Sequence, residues 1–424
     1  MSLAQFHPTT PTARANFRHL YYDIGWFGLV SGSTMAFLAV YATRLGASSF
    51  QIGLLTAGPA VVNLLFSLPF GRFLENRPII GTSYRSSILQ RMGFVMLAPL
   101  PFLENYADQV FGVILITLLM AVPGTLLAIA FNAMFADVVP SEMRGPITSK
   151  RNAILAVTMT LSAVISGQIL DRVDFPYGYG IIFLFGGVGA LLSSYHIGRL
   201  RSPKELSVQV NSPVRYLPRI SNAGRFFRQQ FTIKAQGKTT FKRGLLRSML
   251  GPFMVSYLIF YTFQYVPLPL FPLYNVRVLD LSDGIISLGT ALFNVMMMFG
   301  SIVLSRWALG SRYKLLLTTG ALLYSVYPLI LFFARDETLF LIASLFGGLV
   351  ISILNIGLIN RLMERSPDDE RPAFMAVHNL VLNLGILVGS LLGPWLADSI
   401  DLRTLMLVSG GLRAVAGVLL MRWG

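Results

Sequence analysis

The chain has 424 residues, 54% of them hydrophobic and only 12% charged, with a net charge of +15. A soluble domain carries about 25% charged residues, so this composition excludes a soluble enzyme, a disordered polymer and a nucleic-acid-binding module. There is no cysteine, which removes disulfides, thiol chemistry and cysteine-held metals; His7, His19, His196 and His378 are too scattered for a metal site.

The opening residues hold Pro8, Pro11 and few apolar positions, so no cleavable leader is expected. Charge-free windows of about 18 residues or more can span a bilayer. In chain order they are Ile24–Thr43, Leu45–Gly71, Gln109–Ala136, Asn152–Leu170, Phe175–Gly198, Ser248–Val276, Gly284–Ser305, Leu315–Ala334, Thr338–Asn360 and Pro372–Ala397. Two weaker segments fill the gaps. One is Met92–Leu103, extended by a helix from about Tyr84 with Arg85 and Arg91 at its polar end; the other is Thr404–Met421, interrupted by Arg413. An all-α membrane protein of twelve transmembrane helices is predicted, because buried helices of a soluble core would come with amphipathic partners.

With twelve spans, the connections alternate sides. One side holds 5 basic and 10 acidic residues, the other 28 basic and 9 acidic. The positive-inside rule puts the basic side, and with it both termini, in the cytoplasm of a cytoplasmic-membrane protein. The basic residues are then topology determinants and a surface for anionic lipids, not a nucleic-acid footprint. The longest connection carries 11 Lys/Arg and one acid, Glu205. It divides the chain into a six-helix bundle at 1–200, a basic linker at 201–246 and a second bundle at 247–424. Within the linker, Arg225–Phe231 suits either an amphipathic surface helix or a disordered tether.

The halves repeat. At an offset of 227, Pro140–Arg144 falls on Pro367–Arg371, Asp137 on Glu364, Asn152 on Asn379 and Asp171 on Asp398. Thr158, Ser162 and Ser166 fall on Gly385, Gly389 and Gly393, two stripes of small residues where another helix backbone can approach closely. An offset of 234 pairs Leu45, Ser48, Leu54, Thr56 and Ala57 with Leu279, Ser282, Leu288, Thr290 and Ala291.

The runs Arg44–Gly53, Gly71–Arg77 and Ala136–Gly145 together resemble the major facilitator superfamily, and the likeness covers the chain from about Tyr21 to Gly424. It implies two pseudo-symmetric six-helix bundles made of inverted three-helix repeats, with helices 1, 4, 7 and 10 around a central path. The family's motif after the second helix is kept only as Gly71, Glu75 and Arg77, and its second copy at Ser305–Arg312 is degenerate. The glycine-rich run ending in Gly-Pro that marks antiporters in helix 5 occurs instead in helix 11, as Gly385, Gly389 and Gly393-Pro394. The resemblance implies a secondary transporter, with efflux the expected direction and a nutrient importer of the same fold the alternative. A sensor or a lipid scramblase is the alternative from another class.

Polar groups at membrane depth pair or line a wet path. Counting about 1.5 Å per residue, Asn63, Asn294, Asn383, Tyr261 and Gln264 fall near the midplane. Tyr257, Tyr261, Gln264, Tyr265 and Leu268 share one face of helix 7, which suits a neutral or amphipathic organic solute as well as it suits packing. Asn132 and Asn355 lie nearer the basic side, on the path or between helices. Asp23 reads either as a carboxylate for proton coupling or as a first-turn acid favoured by the helix dipole. Glu75 with Arg77, Asp137 with Arg144 and Glu364 with Arg371 form an expected cytoplasmic gate, or else mark helix ends. Arg413 is expected to snorkel or to pair with an acid. The apparent lack of deeply buried cations argues against phosphate esters and dicarboxylates as solutes. With no Walker loop and no metal spacing, no cofactor or enzyme activity is expected. The partners are then a small solute, lipids and protons, around a monomer.

Overall fold

Apolar segments surrounded by hydrocarbon must satisfy their own backbone hydrogen bonds, which leaves the helix or the closed barrel. The computed structural model describes residues 11–75, 77–201, 233–235, 238–240, 251–307, 313–366 and 371–424. The first six spans are α1 (Pro11–Arg44), α2 (Ser49–Glu75), α3 (Ile79–Leu97), α4 (Tyr106–Val138), α5 (Ser141–Arg172) and α6 (Tyr177–Gly198). The second six are α7 (Pro252–Arg277), α8 (Asp283–Trp307), α9 (Tyr313–Phe333), α10 (Glu337–Arg365), α11 (Arg371–Ala397) and α12 (Leu402–Trp423). In the linker, β1 (Ile233–Ala235) pairs antiparallel with β2 (Lys238–Thr240). The surface helix considered at Arg225–Phe231 lies outside the described residues.

Among the described residues, eleven helices are long and apolar enough to cross a bilayer. The exception is α3, whose polar residues turn inward: Ser83, Ser86, Ser87 and Arg91 are all buried. Outward positions elsewhere are apolar, with Leu119, Phe299 and Trp395 more than half exposed, the surface a lipid solvent demands.

Three spans are interrupted. A π turn at Ser31–Met35 bends α1, where Ser31 Oγ donates to the Phe27 carbonyl at 3.0 Å and Ser33 Oγ to that of Leu29 at 2.6 Å. Pro267 and Pro269 cannot donate to the helical ladder, and α7 breaks between Tyr265 and Leu270. Pro328 likewise leaves the Tyr324 carbonyl without its helical donor, and α9 breaks at Ser325.

The even-numbered helices all begin on the acidic side, so their partly positive N-termini favour acids there. Asn105, Asp336 and Asp401 accept from the first backbone amides of α4, α10 and α12. Hydrogen bonds from Thr404, more than from Arg403, hold the Asp401 carboxyl below its usual range. This gives the acidic face a structural cause beyond topology.

Helices gain little hydrophobic free energy by meeting in lipid, so close packing and hydrogen bonds hold them. The glycine stripe of α11 lies on the backbone of α7: a Cβ at Gly385 would stand 2.6 Å from Tyr261 Cβ, and one at Gly389 would meet the Thr262 carbonyl. On the other half, Thr158 and Ser162 of α5 face Gly28 and Gly32 of α1, and Ser162 Oγ donates to the Leu29 carbonyl at 2.9 Å. The two halves meet through α2 with α11 and α5 with α8.

Candidate functional site

Side-chain hydrogen bonds cross between the two bundles at or near the acidic face. Arg44 Nε donates to Asp283 Oδ1 at 2.8 Å and its Nη2 to the Leu281 carbonyl at 2.8 Å. Tyr179 Oη donates to Asp283 Oδ2 at 2.8 Å. Arg277 Nη2 donates to the Ala47 carbonyl at 2.6 Å, and Asp171 Oδ1 accepts from the Gly284 amide at 2.8 Å. One turn deeper, Ser287 Oγ donates to the Ala163 carbonyl at 2.5 Å. Towards the basic face, a Cβ at Gly71 or Gly145 would meet nothing within 4 Å.

Beneath this seal, at the π turn of α1 and the break of α7, lies a cavity of about 400 Å³. Its walls are Met35 and Ala39 of α1, Leu268, Phe271 and Asn275 of α7, Thr290 and Phe293 of α8, Tyr327 of α9, and Phe340 and Ser344 of α10. The hydroxyls of Thr290 and Ser344 donate to the Ile286 and Phe340 carbonyls of their own helices, so only their lone pairs remain for a ligand. Asn275 Oδ1 is buried with no hydrogen-bond partner. The cavity therefore presents apolar area and aromatic rings, with the Thr290 and Ser344 oxygens as acceptors and the Asn275 amide at its wall.

Most of the expected cavity residues pack elsewhere. Tyr257 and Tyr261 are buried against His378 of α11, with Tyr261 Oη 2.8 Å from His378 Nε2. Tyr265 is half-buried, and Gln264 contributes its carbonyl to Arg413. Asn63 Oδ1 accepts from Thr125 Oγ1 at 2.6 Å, inside the first bundle. Asn383 Nδ2 donates to the Asn379 carbonyl at 2.8 Å, and Asn294 is buried. Asn132 and Asn355 are exposed. Only Leu268, from the same α7 face, reaches the cavity wall. What the sequence could show of the others was faint: Asn275 and Met35 sit beside Pro272 and a run of small polar residues at Ser31–Thr34.

Asp23 is not a first-turn residue, because α1 begins at Pro11. The charge-free window missed the basic entry turns that hold Arg14 and Arg18. Asp23 Oδ1 accepts from Ser193 Oγ and from Arg91 Nη2 at 3.4 Å, while Oδ2 accepts from Arg151 Nη2 at 3.1 Å. Arg91 lies over Phe27, and Arg151 lies over Phe131 and Phe135. This buried cluster joins α1, α3, α5 and α6 with two cations to one acid.

Arg413 does not snorkel, and among the described residues it pairs with no acid. It is 1% exposed, with its guanidinium 4.4 Å from the Tyr324 ring centroid and 5.8 Å from that of Phe271. Nη2 donates to the Gln264 carbonyl at 2.8 Å, and Nη1 stands 3.5 Å from that of Tyr324. Buried cations are thus present at Arg91 and Arg413, contrary to the expectation from sequence, and the argument against anionic solutes loses its premise.

At the basic face, Arg144 donates to the Ala136 and Val139 carbonyls that end α4. Arg77 lies over the Phe73 ring and makes no ion pair with Glu75 in this structure. Glu364 pairs with Arg361 at 2.9 Å, one turn away on α10. Asp137 sits in the last turn of α4, and the side chain of Arg371 lies outside the described residues.

A family model described as Major Facilitator Superfamily matches residues 25–308 and 253–424. No curated protein matches. Among solved structures, a D-xylose-proton symporter is 16% identical over 97% of each chain, with a TM-score of 0.69. The xylose transporter XylE from E. coli, in an inward open conformation, is 15% identical over 97% of this chain and 95% of its own, at 0.66. The nucleoside transporter NupG is 11% identical over 98% of this chain and 99% of its own, with a TM-score of 0.65. At these identities the likeness is one of fold.

Proposed function

The chain belongs to the major facilitator superfamily of transporters, and we propose that it works as a monomeric secondary transporter by alternating access. The observation that carries this reading is a seal on the acidic face, built from cross-bundle bonds such as Arg44–Asp283, directly above a cavity between the bundles. We take the basic face as cytoplasmic, so the structure corresponds to an inward-facing state. Rocking the bundles would break the acidic-face bonds and bring the basic ends together. Glu75, Arg77, Asp137, Arg144, Glu364 and Arg371 are then the charges that would re-pair to close that side, and Asn132 and Asn355 flank the path to it.

The cavity suits a small amphipathic organic solute, because the Thr290 and Ser344 oxygens are acceptors set in an apolar, aromatic wall and the Asn275 amide adds both donor and acceptor capacity. Asp23 is better suited to clamp four helices than to carry a coupling proton, since both its oxygens are held by guanidinium groups. Alternating access runs in either direction, so the coupled gradient sets import or efflux. Flux in right-side-out and inside-out vesicles under an imposed pH gradient separates efflux from import.

The test uses spin labels at Ser48→Cys and Ser282→Cys on the acidic face, and at Gly145→Cys and Met363→Cys on the basic face. Distances measured in lipid nanodiscs should fall into two populations at each pair, long at one face where short at the other. One fixed distance at both pairs refutes alternating access.

A further inference from the structure

Arg413 is a cation held inside the second bundle without an anion. An arginine stays protonated in proteins, and among the described residues no carboxylate lies within ion-pair distance of it. Its Nε is buried with no hydrogen-bond partner. What retains it there is backbone: α7 and α9 are both interrupted by prolines, and Arg413 reaches the Gln264 carbonyl at the first break and approaches the Tyr324 carbonyl at the second. Both are C-terminal ends of helical segments, where a cation is favoured. The rings of Tyr324 and Phe271 cover its faces.

Phe271 also lines the cavity, as does Tyr327, which stacks on Tyr324 and meets Phe271 edge to face. One layer of aromatic rings therefore separates the guanidinium from the cavity, and among the described residues none that lines the cavity is charged. Asp283, at the head of the α8 segment that supplies Thr290, is matched by Arg44. Behind one aromatic layer, and with no carboxylate beside it among the described residues, this charge is felt across the wall.

We infer that Arg413 is a specificity-determining residue: it gives the cavity a positive potential, so the site admits neutral and anionic amphipathic solutes and rejects organic cations. This rests on the cavity being the solute site. The proline breaks then have a second use, since they expose the two carbonyls that fix the cation behind the wall.

The absence of cysteine allows the potential to be read without knowing the solute. A single Leu268→Cys thiol, placed in the cavity wall, is reacted in detergent micelles with anionic sulfonatoethyl methanethiosulfonate and with cationic trimethylammonioethyl methanethiosulfonate. Relative to free mercaptoethanol, the anionic reagent should be favoured by about tenfold. Adding Arg413→Gln should return the ratio towards that of the free thiol, while Arg413→Lys should keep most of it. A cationic reagent that reacts as fast as the anionic one, relative to the free thiol, overturns the proposal in the Leu268→Cys protein alone, whether or not the Arg413 variants fold. A ratio unchanged by Arg413→Gln in folded protein overturns it too. Failure of both reagents to react removes the water-accessible cavity, and with it the solute site proposed above.

Discussion

Arg44 of α1 and Asp283 of α8 meet at 2.8 Å across the two bundles, and Tyr179 of α6 donates to the second oxygen of the same carboxylate. Three helices from opposite halves thus converge on one partly buried acid. An exposed pair is worth about 0–1 kcal/mol and removal of one partner of a buried pair costs about 3–5 kcal/mol; side-chain exposures of 24% and 10% place this one between.

Asp283→Asn should therefore weaken the acidic-face seal by about 1–3 kcal/mol. Since about 1.4 kcal/mol is a tenfold change in a two-state population, a thiol at Ala47→Cys should become modified about tenfold faster. Ala47 is buried under the seal and its carbonyl accepts from Arg277. Unchanged labelling would mean that the ion pair does not hold this face shut.

Asp23→Asn leaves Arg91 and Arg151 buried without a carboxylate. Stranding a buried cation in this way costs about 3–5 kcal/mol, so the variant should lose thermal stability in micelles even without any gradient. Asp23→Glu should recover part of it. An Asp23→Asn protein with an unchanged melting temperature and lost pH-gradient-driven flux would restore the coupling role for this acid.

Gly389 of α11 lies on the Thr262 carbonyl of α7. Neither backbone can move without parting the two helices, so Gly389→Val should reduce folded yield, with overpacking costing about 1–3 kcal/mol. Gly71→Ala, where a Cβ meets nothing, is the control and should be neutral. Size-exclusion profiles of the two variants provide the comparison.

The course of the chain was legible because lipid leaves the backbone one local solution and the charge-free windows mark it. The cross-bundle bonds and the cavity were not. Arg44 and Asp283 are far apart in sequence, and each reads alone as a loop charge. The face Tyr257–Tyr261–Gln264 lies wholly on the α7 segment that ends at Tyr265, whereas the cavity is walled by residues beyond the proline break, Leu268 to Asn275. The aromatic face was drawn instead to α11 by the glycines at 385, 389 and 393. Both halves of that contact were visible, but their pairing was not. Arg91 and Arg413 were read as end and oddity, because periodicity does not say which neighbour buries a charge.

Asn275 carries a cost that function can explain. Its Oδ1 is a buried acceptor with no donor, and such a group destabilises by about 1–3 kcal/mol unless something binds it. Asn275→Leu removes the unsatisfied atom and keeps most of the volume, so the melting temperature of the free protein should stay level or rise. Any solute found by thermal-shift screening of the parent protein should then lose most of its stabilising effect, since ligand stabilisation follows affinity. The opposing movement of the two measurements is the signature of a residue kept for binding at the expense of stability. If Asn275→Leu instead lowers the melting temperature and leaves the solute's shift intact, Asn275 is a packing residue and the solute sits elsewhere in the path.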